Sequence, residues 1–438
     1  MTYLFKKYLN ILIILILLSL SYTACDQIST GNISDTTDEV TITADPSPTP
    51  HKETPQSTPI QVTPETVNLR IWVPPIFDPE ADTRGGNLLK ARLNIFERRR
   101  PEVNLEVRVK AVDGPGGLID SLTTTSAAAS LAMPDLIALP EDLLEIAALK
   151  GFLQSLDQFS EIQDDTDWFA FSDAMSQIQG TIYAIPFASD FQILIYRNNI
   201  IETPPSSWEM TYELNTPLVF SAADEQALFT LIQYQAAGGA VRDSEDRPSL
   251  DSEVLKNVFS FYQQAELAEV MPYWLTQYQD DEQIWTAFEE NRADMVVSWI
   301  SRILNSEDGN ISFAPIPTSS GDPFTYATGW SWAFPNQQET HLTLSLELAE
   351  FLTEKDFLTI WNQATGFVPP RPSAIRDWEE EEIKIVTNQI ASNARLIPSP
   401  DIITSLGEIL QQATVQVLKR QDEPLNAAQN ASSSLSTP

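Results

Sequence analysis

The chain of 438 residues carries 61 acidic and 26 basic side chains, so its formal net charge at pH 7 is −35. A surface this acidic repels phosphate backbones and anionic membrane surfaces, which argues against nucleic acid as a partner. The single cysteine, Cys25, cannot form an intramolecular disulfide or a cysteine-rich metal site. Two histidines, His51 and His341, do not suffice for a His-based catalytic triad or a zinc site, and no metal or cofactor is predicted.

The first residues have the pattern of an export signal. Lys6 and Lys7 precede an apolar run over residues 11–18, and small or polar residues follow as far as Ala24. The apolar run is too short to span a bilayer comfortably, so a transmembrane helix is the weaker interpretation. We therefore expect residues 1–24 to be a signal peptide.

The residues Tyr22, Thr23, Ala24 and Cys25 resemble a bacterial lipobox, in which the cysteine becomes the lipidated first residue of the mature chain. Tyr22 departs from this pattern, because an aliphatic residue usually stands there. The resemblance implies that Cys25 is lipidated and that the protein is anchored to a membrane. Ordinary secretion with a free thiol is the alternative.

Two segments have compositions typical of disorder. Residues 25–66 are rich in Ser, Thr, Pro and acidic residues, and they hold six prolines between positions 46 and 64. Such a segment buries too little apolar surface to offset the entropy of ordering, so we expect a flexible tether. Residues 426–438 are predicted to be a disordered tail.

The body, from residue 67 to about residue 425, shows strand and helix patterns in alternation. Two strands are predicted in VNLRIWV at residues 67–73 and VNLEVRV at 103–109, with a helix between them that ends at ERRRP. The apolar run PDLIAL, residues 134–139, predicts a buried strand before another helix. This order indicates an α/β sheet covered on both faces, with ligands beyond the carboxyl ends of its strands. Trp72, Glu141 and Asp142 are therefore expected near a binding cleft.

The stretch YAIPFASDFQILIYRN, residues 183–198, reads as one buried strand that Ser189, Asp190 and Gln192 interrupt. A carboxylate beside apolar chain loses hydration, so it needs partners or must lie at an opening. We interpret Asp190 as a residue that faces a ligand. The alternatives are that it caps the next element or pairs with a nearby arginine.

The order of motifs along the body resembles the extracellular solute-binding proteins of carbohydrate ABC transporters, a family that includes maltose-binding protein. The resemblance covers nearly all of residues 67–425, and it rests on these stretches: PDLIAL, GTIYAIPFASDFQILIYRNNIIETPPSSW, FEENRADMVVSWI, FAPIPTSSGDPFTYATGWSWAF and LELAEFLTEKDFLTIWNQATGFVPPR. It implies a type II-like periplasmic-binding-protein fold with two α/β lobes and a ligand cleft at the hinge. The implied boundaries are residues 67–188 with 303–366 for the first lobe and 189–302 with 367–425 for the second.

The resemblance also implies site residues. The chain is expected to cross between the lobes just after Pro186, which places Asp190 on the cleft floor, where an ionised carboxylate can accept paired sugar hydroxyls. Trp299 and Trp330 match family positions that stack on sugar rings. Trp332 shares a side with Trp330 if the segment is extended, although a core position for one of the two is equally consistent, and Gly329 would let the backbone approach the ligand. Arg371 matches a position near a later crossing, where ligand binding and a hinge salt bridge are equally consistent.

The expected function is therefore capture of a sugar by lobe closure and delivery to ABC transporter permease subunits, by a monomer anchored outside the cytoplasm, in the periplasm or on the outer surface. No catalytic residue is predicted, although paired acids such as Asp164 and Asp165 leave a glycosidase open as an alternative. A sugar-sensing module that does not serve transport is a third possibility. The sequence does not identify the sugar.

Overall fold

The computed structural model describes residues 66–159, 165–214, 216–304, 306, 308–335 and 338–435. The predicted signal peptide, Cys25 and the tether up to residue 65 lie outside the described residues. Across the part of the chain that the structure describes, no helix is long and apolar enough to cross a membrane.

The described residues form eleven strands and fifteen α-helices that alternate for most of the chain. The strands are β1 Val67–Val73, β2 Val103–Val109, β3 Leu136–Pro140, β4 Gln177–Ile178, β5 Thr181–Ile182, β6 Ala184–Arg197, β7 Leu218–Val219, β8 Met295–Trp299, β9 Ile311–Ala314, β10 Thr325–Ala333 and β11 Ala394–Leu396. The helices of the first half are α1 Arg84–Arg99, α2 Leu118–Ala128, α3 Glu141–Leu149, α4 Ala170–Ser176, α5 Trp208–Tyr212, α6 Leu228–Ala236 and α7 Ser252–Leu267. The others are α8 Asp281–Glu289, α9 Ser301–Leu304, α10 Glu339–Leu352, α11 Lys355–Thr365, α12 Pro372–Arg376, α13 Glu381–Asn393, α14 Pro400–Leu418 and α15 Pro424–Ser434.

Local sequence signals account for the first helix. The side chain of Thr83 caps α1 by accepting a hydrogen bond of 3.0 Å from the backbone N–H of Gly86. Leu89, Leu93 and Phe96 recur at helical spacing and are buried on the face that packs against the sheet. The predicted strands β1, β2 and β3 and the helix between the first two are confirmed.

One mixed sheet runs through the molecule in the order β2-β1-β3-β10-β6-β8-β7, with β11 paired to β10 and β9 paired to β6. Strands β1, β2 and β3 are parallel, whereas β10 is antiparallel to both β3 and β6. The carboxyl ends of the parallel strands therefore meet at one edge of the first part of the sheet.

Strand β6 belongs to both parts of this sheet, because it is 14 residues long. Its first half pairs with β10 as far as Phe191, and its second half pairs with β8 from Gln192 onwards. A bridge between Ser189 and Val368 joins a third stretch of chain to the middle of β6. The middle of β6 is therefore where the chain passes from one lobe to the other.

The two lobes have separate hydrophobic cores. The first is built around Phe77, Phe187 and Trp361, with a smaller cluster that includes Trp72 on the other face of the same sheet. The core of the second lobe is larger and holds aromatic side chains such as Tyr234 and Tyr262. This arrangement is the two-lobed α/β fold that the sequence predicts.

Two predicted boundaries are wrong. The chain does not return to the first lobe at residue 303, because β9 pairs with the second half of β6 and Phe313 and Tyr326 lie in the second core. The predicted disordered tail is helical over residues 426–434, where α15 packs against α7 through buried alanines. Small side chains at one face of α15 allow close helix packing, which the composition of the segment alone does not reveal.

Candidate functional site

The pairing of β6 with its neighbours brings five polar or aromatic side chains onto one face of the sheet. In an antiparallel ladder, directly opposite residues share a face, and so do alternate residues along a strand. Thr328 lies opposite Asp190, Trp330 opposite Ala188, and Trp299 opposite Gln192. We call this surface the front face, and it consists of Asp190, Gln192, Trp299, Thr328 and Trp330.

The burial pattern shows that the front face is open. Gln192, Trp299, Thr328 and Trp330 are half-buried, and Asp190 retains 9% of its accessible surface. Phe191, which alternates onto the opposite face, is completely buried. The polar interruption of the β6 sequence is therefore explained by an opening above the middle of this strand.

The two tryptophans stand on either side of Asp190. Trp330 lies in β10, on one side of β6, and pairs with Ala188 of β6. Trp299 lies in β8, on the other side of β6, and pairs with Gln192. Regular strand spacing places their Cα atoms about 16 Å apart on the diagonal. Asp190 lies on β6 midway between Ala188 and Gln192, so it is directly opposite neither tryptophan.

The carboxylate of Asp190 accepts hydrogen bonds from neutral groups only. Ser301 donates its hydroxyl at 2.6 Å and its backbone N–H at 3.1 Å, and the backbone N–H of Phe191 donates at 3.0 Å. Burial raises the pKa of Asp190 to about 7, against the lowering effect of these three donors, and nearby Asp281 raises it further. Asp190 therefore does not cap the next element of the chain but accepts from Ser301 at the start of the distant helix α9, and no arginine or lysine among the described residues pairs with it.

A second group of contacts holds α9 in place next to Asp190. Asp281 accepts hydrogen bonds from the Ser298 hydroxyl at 2.5 Å and from Arg302 at 2.7 and 2.9 Å. Arg302 also contacts Glu282 at 2.7 Å. The position of the Ser301 donors is therefore set by an ion-pair network in the second lobe.

Glu141 and Asp142 lie where the sequence predicts, at the carboxyl end of β3. Pro140, the residue before them, is directly opposite Trp330. Burial raises the pKa of Glu141 to about 7, and the neighbouring carboxylates of Asp142 and Glu145 raise it further. Burial also raises the pKa of Asp142, and the charge of Asp113, in the loop after β2, raises it further. The Asp142 side chain is nevertheless exposed to solvent. A side chain that is surrounded by protein yet accessible to water is expected at a cleft.

Trp72 does not face the cleft. Its side chain is only 2% exposed and packs in the first lobe, with the ammonium of Lys110 at 4.9 Å from the ring centre. Strand β1 is an interior strand with core on both faces, so alternate residues do not distinguish a buried side from an open one. The prediction of Trp72 as a ligand-binding residue is therefore wrong.

Arg371 is engaged in an ion pair. Its Nη1 lies 2.6 Å from Asp165 Oδ2, and its guanidinium carbon lies 3.9 Å from the ring centre of Trp168. Its neighbour Ser373 donates to Asp167. Of the two roles predicted for Arg371, the structure shows the salt bridge next to the crossing and gives no support to ligand contact.

A register shift in β10 separates Trp330 from Trp332. The shift falls between Trp330 and Ser331, and it places Trp332 opposite Ile185. Trp332 is 2% exposed and stacks on Phe187 with ring centres 4.5 Å apart. Trp332 is therefore a core residue and does not share the front face.

Gly329 is required by the protein rather than by a ligand. A Cβ at this position would lie 2.3 Å from the carbonyl oxygen of Ala188 and 2.9 Å from the sulfur of Met175. Since Gly329 alternates with the front-face residues, helix α4, which carries Met175, covers the back of the same strands.

Sequence reasoning missed the loop after β7. Strands β7 and β8 are parallel, so the loop at residues 220–227 emerges at the same edge as Trp299. Asp224 in this loop accepts hydrogen bonds from the backbone of Gln226 at 3.0 Å and Leu228 at 3.2 Å, and burial raises its pKa. The short apolar run LVF before the loop is the signal that could have indicated it.

Helix α3 also faces the second lobe. Arg242 pairs with Asp401 at 2.8 Å in that lobe. Burial raises the pKa of Glu145 on α3, Asp401 raises it further, and Arg242 opposes the shift. Charged residues of the two lobes therefore lie within electrostatic reach of each other. Within the described residues, no cluster of three or more His, Cys, Asp or Glu side chains could hold a metal ion.

The structure thus combines two lobes with an open face that carries a carboxylate and two tryptophans. The chain belongs to the bacterial extracellular solute-binding protein family, whose family model matches residues 93–387. This family gives the protein an extracytoplasmic setting.

Individual relatives share this architecture. A maltotriose-binding protein of Pyrococcus abyssi is 27% identical over 198 residues, which is 42% of this chain and 42% of that protein. Maltose-bound MalE3 of T. maritima has a TM-score of 0.63 at 19% identity and covers 84% of this chain and 99% of its own. The cyclic α-maltosyl-1,6-maltose binding protein of Arthrobacter globiformis has a TM-score of 0.68 at 14% identity over 84% of this chain and 98% of its own. The match spans about two-fifths of the curated relative's length, and the two solved structures establish the fold.

Proposed function

We propose that this protein is the receptor of a carbohydrate ABC transporter, which captures a sugar or oligosaccharide between its lobes and delivers it to permease subunits. The front face is the observation that carries the proposal. It places one carboxylate without a cationic partner between two accessible tryptophans, at the point where the chain crosses between the lobes.

These side chains have the chemistry of sugar recognition. A tryptophan ring offers a flat apolar surface that matches the C–H face of a pyranose, while a carboxylate accepts hydrogen bonds from adjacent hydroxyls. Asp190 has three donors in the structure and retains capacity for another, because its two oxygens offer about four acceptor positions. Relatives named for binding maltose and maltotriose support this class of ligand.

The spacing of the tryptophans supports a ligand of more than one ring. The separation of about 16 Å between the Cα atoms of Trp299 and Trp330 exceeds the span of a single pyranose. One ring stacked on each tryptophan, with hydroxyls between them near Asp190, would use the whole front face.

Lobe closure supplies the mechanism. Trp330 and Glu141 project from the first lobe, whereas Trp299 and Ser301 belong to the second. Closure would let groups of both lobes surround one ligand, so the ligand would stabilise the closed state by its higher affinity for that state. Hinge closure of this kind is the general behaviour of periplasmic binding proteins.

A membrane anchor would keep the receptor close to the permease. Lipidation at Cys25 followed by the tether of residues 25–66 would provide this, and mass spectrometry of the mature N-terminal peptide tests it. A diacylglyceryl-modified Cys25 supports the anchor, and an unmodified thiol on the secreted protein contradicts it.

Calorimetric titration of the chain without its first 25 residues against mono- and oligosaccharides tests the proposal. We expect one site per chain, micromolar or tighter affinity, and a loss of about 2 kcal/mol or more in Trp299→Ala. Trp274→Ala is the matched control, because this half-buried tryptophan packs edge-on against Tyr278 in the second lobe, with ring centres 6.0 Å apart.

The same samples separate the alternatives. Recovery of the sugar unchanged by chromatography supports a receptor, whereas shortened products support a glycosidase. Loss of sugar uptake after deletion of the gene supports transport, and intact uptake with a lost response to sugar supports sensing.

A further inference from the structure

A second groove lies between the lobes at the far end of α9. It has a volume of about 570 Å³. One wall is formed by the first lobe, through Arg84 and the α11 residues Thr359, Ile360 and Gln363. The opposite wall belongs to the second lobe and includes Leu304, Trp378 and Ile383. We call it the α9 groove.

On the second-lobe side, helix α9 links the front face to this groove. Ser301, the first residue of α9, donates to Asp190, and Leu304, the last residue of the same helix, lines the groove. A helix of four residues is only about 6 Å long. A ligand that reaches Asp190 therefore stands about one helical turn from the entrance of the groove.

In the first lobe, buried aromatic side chains connect Trp330 of the front face to helix α11 of the groove. Phe77 lies between Trp330 and Trp361, with ring centres 5.1 and 5.3 Å away. The indole N–H of Trp361 donates to the carbonyl of Gly85 at 3.2 Å, next to Arg84. These buried contacts pack the first-lobe core beneath Trp330 against α11, the helix that lines the groove.

The groove carries polar groups without protein partners. Arg84 is exposed, and within the described residues it forms no ion pair or side-chain hydrogen bond, nor do the side chains of Glu379 and Glu380 across the groove. Trp378 is 3% exposed, and its Nε1–H has no hydrogen-bond partner among the described residues. Asp377, by contrast, is paired with Lys355 at 2.6 Å.

We propose that the α9 groove is a second recognition region for the same ligand, and that it binds the distal units of a long oligosaccharide; this inference rests on the proposed function. Arg84 and Gln363 supply donors from one wall, and Glu379 and Glu380 supply acceptors from the other, a mixed set that suits hydroxyl groups. The volume is within the range of small-molecule sites. The front face then sets the class of sugar, and the groove sets a preference for chain length.

Titration of a linear maltodextrin series, from maltose to maltoheptaose, tests this inference with the chain that lacks its first 25 residues. We expect wild-type affinity to increase with length by roughly tenfold or more once the chain enters the groove, equivalent to about one hydrogen bond to a charged group. Arg84→Ala should abolish that gain and leave the affinity for the shortest binding sugar unchanged. Arg98→Ala, an exposed change in the last turn of the same helix, is the control.

Three results would overturn the inference. An equal loss of affinity at all lengths in Arg84→Ala would mean that Arg84 pairs directly with the opposite lobe on closure. No effect of Arg84→Ala on a length-dependent affinity would place the extra contacts elsewhere. If no sugar of the series or of the wider panel binds the wild type, the proposed function fails and the groove loses its proposed ligand with it.

Discussion

At the crossing between the lobes, the charges of Asp190 and Arg371 are satisfied in different ways. On the front face, Asp190 is held by uncharged donors from Ser301 and Phe191. Beside the same crossing, Arg371 is neutralised by Asp165 and covered by Trp168. An ion pair satisfies a charge within the protein, whereas a carboxylate with neutral donors keeps acceptor capacity for a ligand. Asp190 is thus the better candidate for binding, and Arg371 the better candidate for holding the crossing together.

The largest expected effect is on the free energy of unfolding, and it distinguishes Trp332 from Trp330, the two tryptophans of β10. Trp332→Ala should lower the free energy of unfolding by about 3–5 kcal/mol, because it leaves a cavity against Phe187. Trp330→Ala should cost less stability and mainly weaken sugar binding, because Trp330 is half-buried. Chemical denaturation and titration of both variants check this, and equal losses of stability would contradict the different positions assigned to them.

Replacement of the front-face carboxylate should have the next largest effect. Asp190→Asn keeps the size of the side chain but replaces one acceptor oxygen with an amide donor, so sugar affinity should fall by about 2 kcal/mol, or roughly thirtyfold. Asp173→Asn, an exposed carboxylate on α4 behind the strands, should leave affinity unchanged. Unaltered binding in Asp190→Asn would show that Asp190 serves only to cap α9.

The pH dependence of binding tests the charge of the same residue. Burial raises the pKa of Asp190 to about 7 from its ordinary value of 3.8. Sugar hydroxyls donate best to the ionised carboxylate, so affinity should rise by about tenfold between pH 6 and pH 8. Titrations at intervals across this range, with Asp190→Asn giving a flatter profile, check the prediction. A profile that is identical in both proteins would assign the titration to another group.

The stability of the protein without ligand should change in the opposite direction. Because the folded-state pKa of Asp190 is raised, the folded state binds the proton more tightly than the unfolded state between about pH 4 and pH 7. The contribution of this residue to stability is therefore lost as pH rises through that range. Comparison of denaturation midpoints for wild type and Asp190→Asn isolates this contribution.

The smallest effect is expected for Arg371, the residue that contrasts with Asp190 at the crossing. Breaking the half-buried pair of Arg371 and Asp165 should cost about 1 kcal/mol of coupling energy in a double-mutant cycle with Arg371→Met and Asp165→Asn. Any change in sugar affinity should be the same for short and long ligands, because we assign Arg371 to the crossing and not to ligand contact. A loss of affinity confined to one sugar would restore Arg371 to the binding site.

Much of the fold follows from local patterns. The alternation in VNLRIWV and VNLEVRV predicted β1 and β2, and the order of segments that resemble the family predicted two lobes, which the structure and the family match confirm. The polar residues within the apolar sequence of β6 indicated the front face, because a carboxylate in a buried strand must have partners or lie at an opening. These signals are readable from sequence because each depends on residues close together in the chain.

The remaining features depend on partners that are distant in sequence. Trp72 is enclosed because β1 has core on both faces, and Trp332 departs from Trp330 because of a register shift. Arg371 meets Asp165 across 206 positions, which no local pattern can encode. The helix α15 is stable because it packs against α7, although its composition resembles that of a disordered tail.

The sequence by itself therefore predicted strands β1 to β3 and the fold class from hydrophobic periodicity, and it indicated Asp190 by a misplaced charge, because these are local properties. The family resemblance added Trp299 and Trp330. Only the tertiary structure decided that both tryptophans share a face with Asp190 whereas Trp72 and Trp332 lie in the core, because strand register and burial arise from contacts between segments that lie far apart in the chain.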